Sequence, residues 1–210
     1  MEKLSKVYEE DRWTTTSPGD INLEFSSFIP MDGFASRMSS DRTMEFDFNH
    51  YYEQGTDPSV YIRIGSNNSS HFIQLEFNGT PLRQEIFIGA QVQIYENIIS
   101  KNNVRGNRTN FIRLRGNNAS DNQSVANIDV RYPRTHNADN QSQYLFYSAD
   151  NTQDQFVEIP DYAGGTRPLV FDLDNHNVMV PEINGSTASV ILPGGNVPQA
   201  RVLLLSLIHI

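Results

Sequence analysis

Residues 71–79 read HFIQLEFNG, a strand-like segment that closes on an Asn-Gly pair. Ile73, Leu75 and Phe77 alternate with polar residues, so the apolar side chains share one face of an extended chain. The Asn-Gly pair favours a tight turn, because both residues tolerate a positive φ. The segment therefore predicts one arm of an antiparallel hairpin with one buried face.

The same two-residue period recurs along the chain, separated by turn-rich clusters at intervals of about ten residues. It is seen in TMEFDFNHYY, VYIRIG, NFIRLRG, QYLFYS and ASVILPGG. Short strands at this spacing predict an all-β fold, an antiparallel and jelly-roll-like β-sandwich with a smaller β module at its C-terminal end. We expect an N-terminal linker or partial element at 1–19, the sandwich at 20–150, and a smaller, incomplete module at 151–204.

The composition of the chain narrows the classes of function. None of the 210 residues is cysteine, so these residues supply no disulfide, thiolate ligand or cysteine nucleophile. The net charge of -9 disfavours a nucleic acid as partner, since phosphate binding needs clustered positive charge. The C-terminal apolar run is too short for a membrane span, which takes about 20 residues, so we expect no membrane insertion by this segment. No secretory leader opens these residues.

The final six residues, 205–210, read LSLIHI. They match the translation of CTG TCT CTT ATA CAC ATC, which resembles the end of a transposase adapter used in sequencing libraries. We interpret them as an adapter-derived scar and exclude them from fold reasoning. The alternative is a genuine final strand, RVLLLSLIHI. The scar interpretation implies that the chain is a fragment of a longer protein.

Motifs for hydrolytic chemistry are not found: the sequence has neither G-x-S-x-G nor H-E-x-x-H. His50, His71, His136 and His176 lie in unrelated turns and strand ends, and we interpret them as surface residues. We therefore predict no catalytic residue and no cofactor in these residues.

The segment DLDNHN is a candidate calcium site, the one possible metal site that the sequence suggests. Calcium takes oxygen ligands from closely spaced Asp and Asn side chains, which here would be Asp172, Asp174, Asn175 and Asn177. The segment lacks the Gly and the distant Glu of an EF-hand loop. An Asx turn between two strands is the alternative.

Arginine and tyrosine side chains form a candidate binding surface for an acidic peptide or a glycan carboxylate. Its residues are Arg113, Arg115, Arg131, Arg134, Tyr132 and Tyr144. Ordinary cross-strand ion pairing and sheet packing are the alternative interpretation. A wider set of tyrosines could instead form a sugar-stacking platform: Tyr51, Tyr52, Tyr95, Tyr132, Tyr144 and Tyr147.

Residues 125–204 resemble the β-rich region upstream of the catalytic domain in gingipain-like cysteine peptidases, particularly the type IX secretion sortase. The motifs are IDVRYPR, an aromatic strand after a polar loop, and LVFDLDNHNVM; upstream, VYIRIGSNNSSHFIQLEFNG is similar to a two-strand stretch of the family. Phe171 stands where the family usually has Trp. The resemblance implies that the catalytic Cys and His belong to a caspase-like domain outside these residues.

The resemblance implies a non-catalytic scaffold and protein-contact module in a cysteine endopeptidase at the cell surface or outside the cell. Its partners would be the remainder of the peptidase, secretion components or substrate tail domains. Two alternatives stay open. One is a carbohydrate-binding module of a surface glycan system, and the other is a virion decoration or fibre protein, which predicts a symmetric trimer or larger assembly.

Overall fold

The structure is a computed structural model that describes residues 2–7, 11–12, 34–66, 70–89, 91–148, 152–195, 197 and 200–206. The chain divides into an N-terminal unit, Lys3–Pro133, and a C-terminal unit, Arg134–Ile210 with Met1–Glu2. Apart from one 3₁₀ turn at Lys101–Asn103, the regular elements of the described residues are β-strands. The predicted all-β fold is confirmed. Within this part of the chain, no helix has the length and apolar character to cross a membrane.

Two four-stranded sheets build the N-terminal unit. Its strands are β1 (Glu2–Val7), β2 (Asp11–Arg12), β3 (Phe34–Ala35), β4 (Asp41–Asp47), β5 (Ser59–Ser66), β6 (Ser70–Phe77), β7 (Thr80–Ile88), β8 (Val92–Ile98), β9 (Thr109–Gly116) and β10 (Gln123–Tyr132). The sheet orders are β1-β10-β5-β8 and β4-β9-β6-β7, and β2-β3 is a separate ribbon. β1 and β2 fall in the stretch predicted to be a linker or partial element.

The core of the N-terminal unit follows the apolar alternation of its strands. Ile73, Leu75 and Phe77 on β6 are fully buried, as the sequence predicts. β6 and β7 pair in antiparallel register through the Asn78-Gly79 turn, whose φ values are 50° and 85°. Both values are positive, so the predicted tight turn is present.

The C-terminal unit is a smaller sandwich of two sheets. Its strands are β11 (Gln143–Tyr147), β12 (Gln155–Ile159), β13 (Pro168–Asp172), β14 (Asn177–Met179), β15 (Glu182–Asn184), β16 (Thr187–Leu192) and β17 (Arg201–Ser206). The sheet orders are β11-β17-β13-β14 and β12-β16-β15. Alternate side chains of both sheets fill a second apolar core, including Val202 and Leu204 of β17.

The two units meet in the sequence between Pro133 and Arg134, which differs from the expected boundary at residue 150. The difference arises because the whole of β11 pairs with β17, from Gln143 opposite Leu205 to Tyr147 opposite Arg201. β17 also includes Leu205 and Ser206, the first two residues of the predicted scar. The remaining four residues, 207–210, lie outside the described residues, and the scar interpretation stays a prediction.

Candidate functional site

Arg113 and Arg115, two members of the predicted binding surface, form cross-strand ion pairs on the outer face of β9. Arg113 donates two hydrogen bonds to the carboxylate of Asp41, one of them from Nε to Oδ1 at 2.7 Å. Arg115 Nε lies 3.9 Å from Glu76 Oε1. The hydrogen bond from Arg113 lowers the pKa of Asp41. Both guanidinium groups therefore face carboxylates of neighbouring strands, as the alternative interpretation expected.

Tyr132 belongs to the core of the N-terminal unit. Its ring is 1 % exposed and stacks on Phe48 with a centroid distance of 4.3 Å and an interplanar angle of 2°. Its hydroxyl donates to the carbonyl of Asn49 at 3.1 Å. Arg131, the next residue back along β10, is exposed. Tyr132 therefore packs the sandwich interior and presents no ring to a partner.

Tyr144 and Arg134 belong to the C-terminal unit. The Tyr144 ring is buried in the second core, and the Arg134 guanidinium lies over it at 5.5 Å from the centroid. Arg134 Nη2 also donates to the carbonyl of Asn137 at 3.0 Å and to Asp139 Oδ2 at 3.2 Å. These contacts order the loop that precedes β11. The six predicted surface residues are thus divided between two units, and their role in binding stays a prediction.

The calcium candidate has the hydrogen bonding of an Asx turn. Asp172 Oδ1 accepts from the backbone N–H groups of Asp174 at 3.3 Å and Asn175 at 3.0 Å. Asp174 is paired with Arg201, 2.7 Å from its Nη2, and these hydrogen bonds lower the pKa of Asp174. Asn177 begins β14, opposite Asp172. Among the described residues, no group of three His, Cys, Asp or Glu could hold a metal ion. Calcium binding stays a prediction.

A buried His-Asp pair in the N-terminal unit was missed by sequence reasoning. His71 is fully buried, so its interpretation as a surface residue was wrong. Its Nδ1 lies 2.7 Å from Asp121 Oδ1, and Asp121 Oδ2 accepts from the backbone N–H of Phe72 at 3.0 Å and of Asn117 at 2.9 Å. Burial would raise the pKa of Asp121, but these hydrogen bonds outweigh it and lower the pKa. The pair anchors the loop before β10 to β6.

An apolar row crosses the outer face of the sheet β11-β17-β13-β14. Leu145, Leu203, Phe171 and Val178 lie side by side in register, one on each strand. Leu145 is 50 % and Val178 60 % exposed, and the other two are half-buried. The sequence carried a signal for this row, since β17 is apolar on both faces, a pattern typical of strands that are covered on both sides.

A small polar cleft opens in the N-terminal unit. It has a volume of about 200 Å³ and is lined by Tyr51, Glu53, Lys101, Asn102 and Val104. Its walls are the loop that follows β4 and the 3₁₀ turn that follows β8. No local motif predicts this cleft, because its two walls are about 50 residues apart along the chain.

Comparisons with known proteins identify a shared fold. No family model and no curated protein matches the chain. The latent, dimeric PorU of Porphyromonas gingivalis matches over 99% of this chain and 20% of that chain, at 10% identity and a TM-score of 0.68. Smaller likenesses are the CBM36-1 domain of a xylanase from the hindgut metagenome of Trinervitermes trinervoides, and a family 35 carbohydrate-binding module from Clostridium thermocellum. The first has 15% identity, covers 63% of this chain and 98% of that chain, and has a TM-score of 0.36. The second has 10% identity, covers 63% of this chain and 100% of that chain, and has a TM-score of 0.35.

The structural match covers only part of PorU. Our chain spans a fifth of the length of PorU. At 10% identity the likeness establishes the β-sandwich architecture and carries no catalytic or binding residue to this chain.

Proposed function

We propose that this chain is a non-catalytic β-sandwich segment of a surface or secreted cysteine peptidase resembling the type IX secretion sortase. In that protein it acts as a scaffold and contacts other protein domains. The fold likeness to PorU over 99% of the chain supports the proposal. The chain has no cysteine, so a cysteine nucleophile would come from other residues of the parent protein.

The apolar row is the observation that carries the contact role. Its four side chains point away from the core of the C-terminal unit, and the two outermost are at least half exposed. Burying apolar surface releases about 25 cal/mol per Å², so a continuous row of this kind favours contact with a matching apolar surface. Contiguous exposed apolar patches mark interaction sites in soluble proteins. We assign this face to the remainder of the same peptidase.

The carbohydrate-binding alternative loses most of its proposed aromatic platform. Tyr51, Tyr95, Tyr132 and Tyr144 are buried, and sugar stacking requires exposed ring faces. Tyr52 is 43 % exposed. A sugar site in this chain would therefore have to use residues other than these four buried tyrosines. The virion alternative, with its symmetric assembly, stays a prediction.

The first test is to sequence the natural gene on both sides of the segment that encodes these residues. A caspase-like domain with a Cys-His pair, encoded in the same reading frame, supports the proposal. That domain is then expressed separately, and its affinity for this chain is measured by biolayer interferometry. A glycoside hydrolase in that position, or a lone gene for these residues, refutes the proposal.

Variants of the exposed ends of the row locate the contact. Leu145→Lys with Val178→Lys should weaken binding at least tenfold, because the interface then buries two ammonium groups. The matched control, Phe156→Lys with Ile191→Lys, also replaces two exposed apolar side chains, 66 % and 60 % exposed, on the other sheet. Equal affinity of both double variants and the wild type contradicts the assignment of the row.

A further inference from the structure

We propose that Asn184 is a site of spontaneous modification, at which the side-chain amide is lost and aspartate or isoaspartate forms. The chain contains two Asn-Gly pairs, Asn78-Gly79 and Asn184-Gly185. In the sequence both are equally reactive, because glycine has no Cβ to hinder attack by its backbone nitrogen. Their surroundings in the structure differ, and only the second pair is free to react. This inference does not depend on the proposed scaffold role, and its failure would leave that role untouched.

The reaction needs water and hydroxide but no enzyme, oxidant or metal. The backbone nitrogen of Gly185 gives its proton to hydroxide and attacks Cγ of Asn184. The bond from Cγ to the side-chain nitrogen breaks, and the nitrogen takes a proton from water and leaves as ammonia. Water then opens the cyclic imide at either carbonyl. One opening gives aspartate at position 184, and the other gives isoaspartate, whose main chain runs through the side-chain carbon.

Asn184 and Gly185 are both exposed, at the turn that joins β15 to β16. Asn184 pairs with Thr187 across this turn, and Gly185 follows with a φ of 61°. The side chain of Asn184 makes no hydrogen bond with another described residue. A Cβ built on Gly185 would have no neighbouring atom within 4 Å. Cγ of Asn184 is therefore accessible, and its side chain can rotate without breaking a contact.

The hairpin end can open far enough for ring closure. The extended backbone at the end of a strand holds the glycine nitrogen away from Cγ, so the reaction proceeds from a locally opened state. β15 has three residues, Glu182–Asn184, and lies at the edge of the sheet β12-β16-β15. Short exposed strand ends open at a small fraction of the global unfolding free energy. The reactive conformation of Asn184 is therefore reached without unfolding the unit.

The other Asn-Gly pair is held by its side chain. Asn78 Nδ2 donates to the Asn103 carbonyl and to Asn110 Oδ1, both at 2.8 Å. Asn78 Oδ1 accepts from the Phe111 N–H at 2.9 Å. Attack on Cγ of Asn78 would require these three bonds to break, and each leaves a polar group without its partner. The flanking strands β6 and β7 have eight and nine residues, so this hairpin opens less readily than the other.

The modification changes both the charge and the geometry of the turn. A carboxylate replaces a neutral amide, so each modified copy carries one more negative charge. Isoaspartate also adds one atom to the main chain where Asn184 faces Thr187. The Tyr162 N–H donates to the Ser186 carbonyl of the same turn at 2.8 Å, so the loop before β13 is disturbed as well. Older copies of the protein should therefore differ from newly made ones at this hairpin.

The experiment compares the two sites within one chain. The intact protein is incubated at pH 8.5 with and without 8 M urea, and samples are digested with a glutamate-specific protease. Cleavage after Glu76, Glu85 and Glu182 puts Asn78 and Asn184 on separate peptides. Tandem mass spectrometry measures the loss of each amide, and enzymatic methylation detects isoaspartate. In the folded chain, we expect Asn184 to react roughly tenfold or more faster than Asn78, whereas in urea the two rates should be similar.

Two exposed asparagines provide matched variants. Asn184→Gln places the side-chain carbonyl one carbon further from the backbone nitrogen, so the acidic species should not accumulate on isoelectric focusing. Asn140→Gln replaces an exposed asparagine that precedes glutamine, and should accumulate that species at the wild-type rate. The proposal is overturned if Asn78 reacts as fast as Asn184 in the folded chain, if Asn184 reacts only in urea, or if Asn184→Gln still forms the acidic species at the wild-type rate.

Discussion

Acidification should destabilise the C-terminal unit through His136, at a pH where its carboxylates are still ionised. The His136 ring lies edge-on to Phe146 at a centroid distance of 4.5 Å and to Tyr144 at 6.2 Å. Its Nδ1 is buried with no hydrogen-bond partner among the described residues. Burial lowers the pKa of His136 to about 4, and the positive charge of Arg134 contributes. The imidazole is therefore neutral in the folded unit.

The sign and size of the effect follow from linkage. An unfolded histidine titrates near pH 6.5, so between about 6.5 and 4 the unfolded state binds the extra proton and stability is lost as the pH falls. A difference of about 2.5 pKa units corresponds to about 3 kcal/mol below pH 4, and to about 2 kcal/mol at pH 5. A domain with a total stability of about 5–15 kcal/mol would show this loss clearly.

The assay is urea unfolding at pH 8, 6 and 5, followed by methyl NMR signals of Val202 and Leu204 for the C-terminal unit. His136→Phe keeps an aromatic ring and removes the titration, so its stability should not change between pH 8 and 5 on this account. The control is His176→Asn, which replaces an exposed histidine of the same unit at a φ of 58°. An ordinary titration of the His136 ring near pH 6.5, or equal acid sensitivity of the wild type and His136→Phe, refutes the reasoning.

Three further predictions concern the N-terminal unit. Asp121→Asn should lower the unfolding free energy of this unit by roughly 2–3 kcal/mol in urea titrations, because a charged acceptor of several hydrogen bonds is lost beside buried His71. A change within experimental error would contradict the anchoring role of Asp121. Gly79→Ala should lower the unfolding free energy by more than about 1 kcal/mol in the same assay, because alanine is strained at a φ of 85°. An unchanged urea midpoint would rule out the positive-φ turn. Tyr132→Phe should cost about 1 kcal/mol for its lost hydrogen bond, and a gain in thermal stability would argue against that bond.

Local pattern predicted the strand faces correctly where packing obeys a two-residue period. Met44, Phe46 and Phe48 alternate with polar residues, and all three are buried. The Asn78-Gly79 turn was also visible, because both residues tolerate the positive φ that the turn requires. Such features need no knowledge of distant parts of the chain.

Features that depend on long-range contacts were not predicted. Glu76 lies on the face that the alternation marks as solvated, yet it is 8 % exposed, because Gln74 donates to its Oε1 at 2.7 Å and Arg115 lies beside it. His71 is buried by a partner 50 residues away. The cleft likewise joins two separate loops, so no local motif could reveal it.

The position of β17 has a consequence for synthesis on the ribosome. It lies between β11 and β13 in the sheet, yet follows both in the chain, so neither has its shared neighbour until residues 201–206 have been made. The N-terminal unit has all its strands by residue 132 and can form while the ribosome is still translating. Nascent β11 and β13, with apolar faces and open edges, meanwhile offer binding sites to chaperones, and slowed translation of β17 would prolong that exposure.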